Sequence, residues 1–183
     1  MKAGQALMQQ YRATGKLQQI IDGFHSGLLE SSAEACVHAG WAFKQLGKNR
    51  EATACLEKAI ILAPINSDYY YKRGLLRNQL ANYDTAIKDF DISIVLDTGY
   101  SHVDPRHAKR LVGRGTAYIR GGTTPNQETS SPQLALADGI RALELLEERF
   151  NTPEWDYYKP TINLLLADVH ELLGDTYSAL DQP

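Results

Sequence analysis

The sequence lacks the residues and runs on which disulfide scaffolds and membrane spans depend. Its 183 residues include only two cysteines, Cys36 and Cys55, and these have no CxxC spacing. Both fall in predicted helices, so we expect buried, reduced thiols. No apolar stretch approaches the roughly 20 residues of a transmembrane helix. The first ten residues also lack the apolar core of a signal peptide. These absences favour a cytoplasmic protein without a membrane span.

Neither the charge nor the motifs point to a nucleic acid or a substrate. The formal net charge is −3, whereas nucleic-acid binding usually needs a basic domain that neutralises several phosphates. No GxSxG, HExxH, phosphate-loop or dinucleotide fingerprint is present. His102, Asp104 and His107 match no established metal-ligand spacing. We therefore expect no catalytic activity, no cofactor, no metal site and no nucleic-acid partner.

The most regular stretch is 33–66, which divides into two amphipathic segments around a turn at 46–49. Apolar residues recur at helical spacing in both segments, and Pro64 ends the second one. Gly40 is informative because a glycine inside a helix costs about 1 kcal/mol relative to alanine. Its missing side chain would let the two helices approach closely, with Gly40 against Ala52.

The same arrangement recurs 34 residues later. The equivalent residues are Gly74, Ala86 and Phe90, in place of Gly40, Ala52 and Leu56. This order of small and large residues at this period resembles the tetratricopeptide repeat. The resemblance implies an all-α fold, a right-handed superhelical solenoid of antiparallel helix pairs.

On this resemblance the chain is predicted to be a single array over 1–183. Its parts are a degenerate repeat at 1–32, regular repeats at 33–66 and 67–100, a repeat at 101–148 with an inserted loop at 121–132, and a terminal helix or partial repeat at 152–183. In the last part, Pro160 would kink or begin a helix. The stretch 174–179 resembles the repeat's turn and the start of a second helix. A fragment of a longer array or a dimerising end is therefore expected.

Two arginines each stand immediately before a glycine of the repeat pattern. The family usually has leucine at this place. Arg73 precedes Gly74, and Asp89 follows sixteen residues later on the second helix of the same hairpin. In the regular repeat the corresponding residues are Ala39 and Cys55, so both charges are missing together. Because a buried unpaired guanidinium is very costly, we predict an Arg73–Asp89 ion pair.

The second arginine repeats this relationship. Arg114 precedes Gly115, and Asp138 occupies the place of Asp89 once the eight-residue insertion is removed. We predict an Arg114–Asp138 ion pair inside that hairpin. The alternative is functional: Arg73 and Arg77 would form an anion site.

In the tetratricopeptide family the first helices of successive repeats line a concave groove that binds peptides or partner helices. The resemblance places these residues in the groove: Val37, His38, Trp41, Lys44, Asp68, Tyr71, Lys72, Leu75, Asn78, Lys109, Thr116 and Arg120. Trp41 and Tyr71 are expected to matter most, because hairpin packing does not need them in this register. The alternative is that neighbouring helices cover them. Aromatic residues flanked by Lys44 and Lys72 suit a binding hot spot.

One known sub-function is not expected. Co-chaperones of this family hold the C-terminal carboxylate of heat-shock chaperones with a clamp of lysine, asparagine and arginine residues. The corresponding residues here are Gln5, Gln9, His38, Asp68 and Lys72, or Val37, Trp41, Lys72, Lys109 and Gly113 one repeat later. Neither set forms the clamp.

Two functions remain open on these observations. The first is a non-catalytic scaffold that binds a peptide or partner helix in the concave groove. The second is a module of a larger enzyme or of a secretion or assembly machine, which positions a substrate or mediates homo-oligomerisation through the C-terminal helix. The basic segment 106–120 and the mostly acidic segment 138–156 indicate either a solvated surface or docking of an acidic peptide.

Overall fold

The computed structural model describes residues 19, 21–22, 32–97, 105–121, 131–150 and 159–181. The four longest of these segments hold the helices α1 (Ala33–Gln45), α2 (Asn49–Leu62), α3 (Ser67–Gln79), α4 (Tyr83–Asp97), α5 (Pro105–Gly121), α6 (Pro132–Phe150) and α7 (Lys159–Leu180). No strand occurs among the described residues. The all-α prediction is therefore confirmed there. The chain divides into two compact units, Met1–Tyr69 and Tyr70–Pro183.

Local sequence signals set the ends of the first hairpin. The Ser32 hydroxyl caps α1 by accepting a hydrogen bond from the main-chain N–H of Ala35 at 3.3 Å. At the other end Gly47 has a φ of 72°, which glycine adopts without steric cost. The Lys48 N–H then donates to the Phe43 carbonyl at 2.9 Å. This closes α1 and starts α2 after a short turn.

The close approach predicted at Gly40 is present in the first unit. A Cβ built on Gly40 would lie 3.1 Å from the Ala52 carbonyl oxygen and 3.2 Å from the Cys55 Cβ. The helix backbones are therefore near enough that only glycine fits without movement. Cys36 and Cys55 are both buried, and neither forms a disulfide.

In the second unit the phenyl ring of Phe90 is held between two glycines. A Cβ built on Gly74 of α3 would lie 2.9 Å from Phe90 Cε1, and one built on Gly113 of α5 would lie 2.8 Å from the same atom. Phe90 is completely buried, together with Ala86, Ile87 and Ala117. The ring therefore ties α4 to the helices on either side of it.

A second apolar cluster joins the later helices. Its buried members come from α5, α6 and α7: Ala108, Leu111, Ala142, Leu145, Leu146, Ile162, Leu165 and Val169. A Cβ on Gly115 would lie 2.7 Å from Leu172 Cδ2. The small residues of α5 thus allow α7 to pack closely.

The structure corrects the prediction for the end of the chain. The stretch 174–179 is not a turn, because α7 runs without interruption from Lys159 to Leu180. Pro160 is its second residue, where a missing N–H breaks no helical hydrogen bond. Glycine lowers helix propensity by only about 1 kcal/mol, so the apolar face of α7, buried from Ile162 to Thr176, maintains the helix across Gly174. None of the described helices is long and apolar enough to span a bilayer.

Some predictions fall on residues that are not described. These are most of the degenerate repeat at 1–32, with Gln5 and Gln9, most of the inserted loop at 121–132, and both His102 and Asp104. The division of the chain into repeats and a terminal part therefore stays a prediction.

Candidate interaction surfaces

The first candidate surface lies on α1 in the first unit. Trp41 is 41% exposed. It does not belong to the buried face of α1, which includes Cys36 and Phe43. Val37 and Lys44, one turn before and after it, are half-buried, and His38 is exposed. Burial lowers the pKa of the Lys44 ammonium. An exposed indole beside a partly desolvated ammonium is the main feature of this surface.

A hydrogen-bonded group stands at the amino-terminal end of α1. The Tyr69 hydroxyl donates to Glu34 Oε1 at 3.0 Å, and the Ser32 hydroxyl donates to Glu34 Oε2 at 3.2 Å. A backbone hydrogen bond and then these two hydroxyls lower the pKa of the Glu34 carboxyl. Burial, followed by the bond to Glu34, raises the pKa of Tyr69. Asp68, a predicted groove residue, is half-buried.

The second candidate surface lies on α3 in the second unit, and it differs from the prediction at Tyr71. The Tyr71 ring centroid is 6.0 Å from that of Phe90, and the Arg110 guanidinium stands 5.7 Å above the Tyr71 ring. The expectation that packing does not need Tyr71 is therefore wrong. The half-buried Tyr71 ring contacts an arginine on α5, which the repeat pattern did not take into account.

The other predicted residues of α3 differ in their exposure. Lys72 is exposed, and Leu75 is half-buried against the cluster around Phe90. Asn78 is only 7% exposed. Its side-chain Oδ1 is buried and has no hydrogen-bond partner among the described residues. Lys72 and Leu75 are therefore accessible at least in part, whereas Asn78 lies beneath the surface.

Further along the second unit, α5 supplies the remaining predicted residues. Lys109 and Thr116 are half-buried, and Arg120 is exposed. The Thr116 hydroxyl donates to the Val112 carbonyl at 2.8 Å. No acidic residue occurs between 105 and 121, so the exposed side of α5 is cationic.

The structure brings Arg73 and Asp89 together. Arg73 Nη2 lies 2.6 Å from Asp89 Oδ1, and its Nε lies 3.0 Å from Oδ2. Arg77, one turn later, donates to Asp89 Oδ2 at 2.8 Å. Asp89 is only 1% exposed. The guanidinium groups of Arg73 and Arg77 balance the negative charge of its buried carboxylate. This carboxylate occupies the position that an external anion would take between Arg73 and Arg77.

The structure likewise brings Arg114 and Asp138 together, and it adds a third residue. Arg114 Nη2 lies 2.6 Å from Asp138 Oδ1, while its Nη1 lies 2.6 Å from Asp91 Oδ1. The hydrogen bond to Asp138 raises the pKa of Arg114. Burial raises the pKa of Asp138, and Arg114 opposes that shift. Arg114 therefore joins α4, α5 and α6.

Sequence reasoning missed a buried cluster at Arg110, which is only 1% exposed. Its Nε donates to the Ser93 hydroxyl at 2.8 Å, and its Nη1 lies 3.3 Å from Asp97 Oδ2. His107 Nδ1 lies 3.2 Å from the same Asp97 oxygen. A usable signal was the polar stripe Asp89, Ser93, Asp97 on α4, because its four-residue spacing puts all three on one helix face.

No group of three histidine, cysteine or acidic side chains within the described segments is arranged to hold a metal ion. In the charged clusters, arginines instead form ion pairs with aspartates. These aspartates are Asp89, Asp91, Asp97 and Asp138. The geometry of these clusters is that of interhelical ion pairs rather than of an open reaction centre.

Comparison with known families and structures agrees with this geometry. Residues 33–66 match the family model described as tetratricopeptide repeat. The chain therefore contains a tetratricopeptide repeat over these residues. No curated protein matches its sequence.

Several solved structures share the fold of this chain. A crystal structure of MamA is 24% identical, with a TM-score of 0.61 over 79% of this chain and 77% of that one. A MamA RS-1 ArsTM double mutant is 16% identical, with a TM-score of 0.57 over 98% and 96%. The first tetratricopeptide domain of Spaghetti (RPAP3), bound to the HSP90 peptide SRMEEVD, is 23% identical, with a TM-score of 0.52 over 74% and 94%. At these identities the likeness concerns the fold.

Proposed function

We propose that the chain is a non-catalytic scaffold that binds a peptide or a partner helix through the first helices of its repeats. The observation that carries this proposal is Trp41. Its indole is 41% exposed on a helix whose inner face is already buried. Tryptophan is among the residues most enriched at binding hot spots, and the first helix is the partner-facing helix in the family that the repeat at 33–66 matches.

The surroundings of Trp41 favour an amphipathic partner with a negative charge. Val37 and Trp41 present apolar area, and Lys44 places an ammonium one turn further along α1. The lowered pKa of Lys44 reflects desolvation, and a partner's carboxylate would offset that cost better here than at a fully hydrated lysine. An apolar side chain followed by an acidic one would therefore fit this surface.

The second unit supports the same class of partner by its charge. Lys72, Lys109 and Arg120 are the cationic members of the predicted groove there. The interior arginines Arg110 and Arg114 already contact aspartates. Cations on the exposed side of α3 and α5 would attract an acidic segment during encounter, and that attraction would weaken as salt is added.

The RPAP3 domain was solved with the peptide SRMEEVD, which makes this peptide a useful comparison. His38, Asp68 and Lys72 replace the residues of the carboxylate clamp, so we expect SRMEEVD to bind no better than the same peptide with an amidated C-terminus. Fluorescence anisotropy with both labelled peptides tests this. A clear preference for the free carboxylate would contradict the absence of a clamp.

The central test of the function uses Trp41→Ala. A peptide is first selected on the wild-type chain from a phage-displayed library, and its affinity is measured by calorimetry. Loss of an aromatic hot spot should cost roughly 2 kcal/mol or more, a drop in affinity of about 30-fold. Leu46→Ala is the matched control, because Leu46, the residue that follows α1, is 43% exposed. Equal affinities for both variants, with unchanged helicity, would reject the proposal.

A second candidate is self-association through α7, which would suit a module of a larger enzyme or assembly machine. Leu164 and Tyr177 are 55% and 53% exposed on this helix. Light scattering over a range of chain concentrations tests it, with Leu164→Ser/Tyr177→Ser as the variant. A mass that stays at 20.4 kDa at every concentration would exclude this candidate.

A further inference from the structure

The two most exposed large apolar side chains of the described residues lie at one end of the first hairpin. Ile61, in the last turn of α2, is 78% exposed, and Ile65, in the link to α3, is 82% exposed. Leu62 is 44% exposed. Single exposed apolar residues are normal, but a contiguous group of them is typical of an interaction site. We call the group Ile61, Leu62 and Ile65 the link end.

The charge around the link end is mainly acidic. Its charged neighbours are the carboxylates of Glu34, Glu57 and Asp68 and the half-buried ammonium of Lys58. Glu57 lies one turn before Ile61, on the same side of α2. The Tyr69 hydroxyl donates to Glu34 at 3.0 Å, which brings the first turns of α1 and α3 to this end of the hairpin. Three carboxylates against one ammonium give the link end a negative charge.

The opposite end of the same hairpin is apolar and basic. Leu46, in the turn between α1 and α2, is 43% exposed. Lys48 and Arg50 follow it, and both are exposed. We call the group Leu46, Lys48 and Arg50 the turn end. Between 44 and 51 the sequence has three basic residues and one acidic residue, so the turn end has a positive charge.

The second hairpin does not repeat this polarity. At the period of 34 residues, Asn82 and Asp84 are the equivalents of Lys48 and Arg50. The equivalent of Ile65 is Gly99. The two oppositely charged apolar ends therefore belong to the first hairpin and do not follow from the repeat pattern.

We propose that the link end of one copy of the chain binds the turn end of a second copy, so that the chains associate head to tail. Leu46 of the second copy packs against Ile61 and Ile65, while its two cations approach the carboxylates around them. The charges select this arrangement, because contact between two link ends or between two turn ends would bring like charges together.

This contact has a consequence for the size of the assembly. Each pair of chains keeps one unused link end and one unused turn end, so further copies can add. The contact is small, and interfaces below about 1,200 Å² are typical of weak, transient association. Neither end includes Trp41 or α7, so the inference is independent of the peptide-binding surface and of self-association through α7.

The experiment is sedimentation equilibrium of the full chain from about 10 µM to about 1 mM, the range of a weak contact. The average mass of the wild type should rise above 20.4 kDa and pass twice that value. Ile61→Ser/Ile65→Ser and Leu46→Ser/Lys48→Glu should each stay monomeric. Val95→Ser is the matched control, because Val95 is the equivalent of Ile61 in the second hairpin and is 67% exposed. It should associate like the wild type.

Mixing the two blocked variants in equal amounts tests the head-to-tail arrangement itself. Each variant retains the end that the other has lost, so the mixture should form a complex of two chains and nothing larger. Circular dichroism checks that both variants keep their helicity. Should Ile61→Ser/Ile65→Ser lose it, Glu57→Lys replaces that variant, since it changes only the charge beside the link end.

Several outcomes would overturn the inference. One is a wild-type mass of 20.4 kDa at every concentration, and another is a mixture that remains monomeric. Dimerisation of Leu46→Ser/Lys48→Glu alone would show that link ends bind each other. If Leu164→Ser/Tyr177→Ser abolished association and Ile61→Ser/Ile65→Ser did not, the contact would lie on α7 instead. None of these results bears on peptide binding, which Trp41→Ala tests separately.

Discussion

The first two hairpins have the same pattern and period but different interiors. At two equivalent positions the first has Ala39 and Cys55, both buried, whereas the second has Arg73 and Asp89 joined at 2.6 Å. At these two positions the first hairpin has no charged side chain, while the second must bury a charge and balance it. The fold therefore accepts either solution, provided that both partners change together.

The two hairpins also use their glycines differently. At Gly40 an added methyl group would meet the main-chain oxygen of Ala52, whereas at Gly74 it would meet the ring of Phe90. A backbone atom cannot move without displacing its helix, but a ring can rotate when space is available. Gly113 of α5 also packs against that ring. The Phe90 ring is therefore confined between α3 and α5.

The largest effect should come from breaking the ionic hairpin at its carboxylate. Asp89→Ala leaves Arg73 and Arg77 without their common partner, and removing one member of a buried pair costs about 3–5 kcal/mol. Urea denaturation followed by circular dichroism measures this loss. The comparison is sharpened by Arg73→Ala/Asp89→Cys, which transfers the apolar pair of the first hairpin and should recover most of the stability. A double variant no more stable than Asp89→Ala would show that the two interiors are not interchangeable.

A smaller loss is expected from Gly74→Ala. The new methyl group would overlap the Phe90 ring, and overpacking of this kind typically costs 1–3 kcal/mol. The gain in helix propensity of about 1 kcal/mol offsets part of it. Phe90→Leu supplies the control: in that background the ring is absent, so Gly74→Ala should be neutral or stabilising. Equal effects of Gly74→Ala in both backgrounds would mean that the ring is not confined.

The paired charges and small residues could be predicted because each lies inside one hairpin, where a fixed sequence spacing corresponds to a fixed distance. Gly40 near Ala52 and Arg73 near Asp89 are of this kind. Arg110 was missed because its contacts, Ser93 and Asp97, come from the preceding hairpin. Those contacts depend on how α5 packs against α4, which a pattern for one repeat does not contain.

Packing also explains two departures from the sequence predictions. The register of Tyr71 predicts a ring that packing does not need, but this half-buried ring contacts Phe90 of α4 and Arg110 of α5. The stretch from Gly174 resembles the turn of a repeat, but the buried face of α7 continues across it through Val169, Leu172 and Thr176. In both places packing between elements outweighed a local signal.

The turns of the two hairpins can also be compared, at Gly47 and Ala81. Substitutions there should change the free energy of unfolding by about 1 kcal/mol. Ala81→Gly should raise stability by roughly that amount, because glycine relieves the positive φ of 59°. Gly47→Ala should lower it by a similar amount. Differential scanning calorimetry would register shifts of opposite sign. Ala54→Gly, within α2, should be destabilising, so stabilisation by all glycine substitutions alike would contradict the explanation from φ.

The smallest effect concerns an acid-sensitive contact between Glu34, at the start of α1, and Tyr69 of α3. The pKa of Glu34 is lowered from its ordinary value of 4.5 by a backbone hydrogen bond, Tyr69 and Ser32. Its contribution to stability is therefore complete above pH 4.5 and is lost as the pH falls through the lowered pKa. The pKa of Tyr69 is raised from 10.0, so its contribution is lost as the pH rises above that value.

Tyr69→Phe removes the hydroxyl from both equilibria. The difference between the denaturation midpoints of wild type and variant should hence be largest between these limits and shrink towards either end of the pH range. Tyr177→Phe is the control, because Tyr177 is 53% exposed and should give no such profile. The difference between the two midpoints could instead remain constant from acid to alkaline pH. The stability lost in Tyr69→Phe would then come from packing of the ring. The hydrogen bond from Tyr69 to Glu34 would then contribute nothing measurable to the stability of the chain.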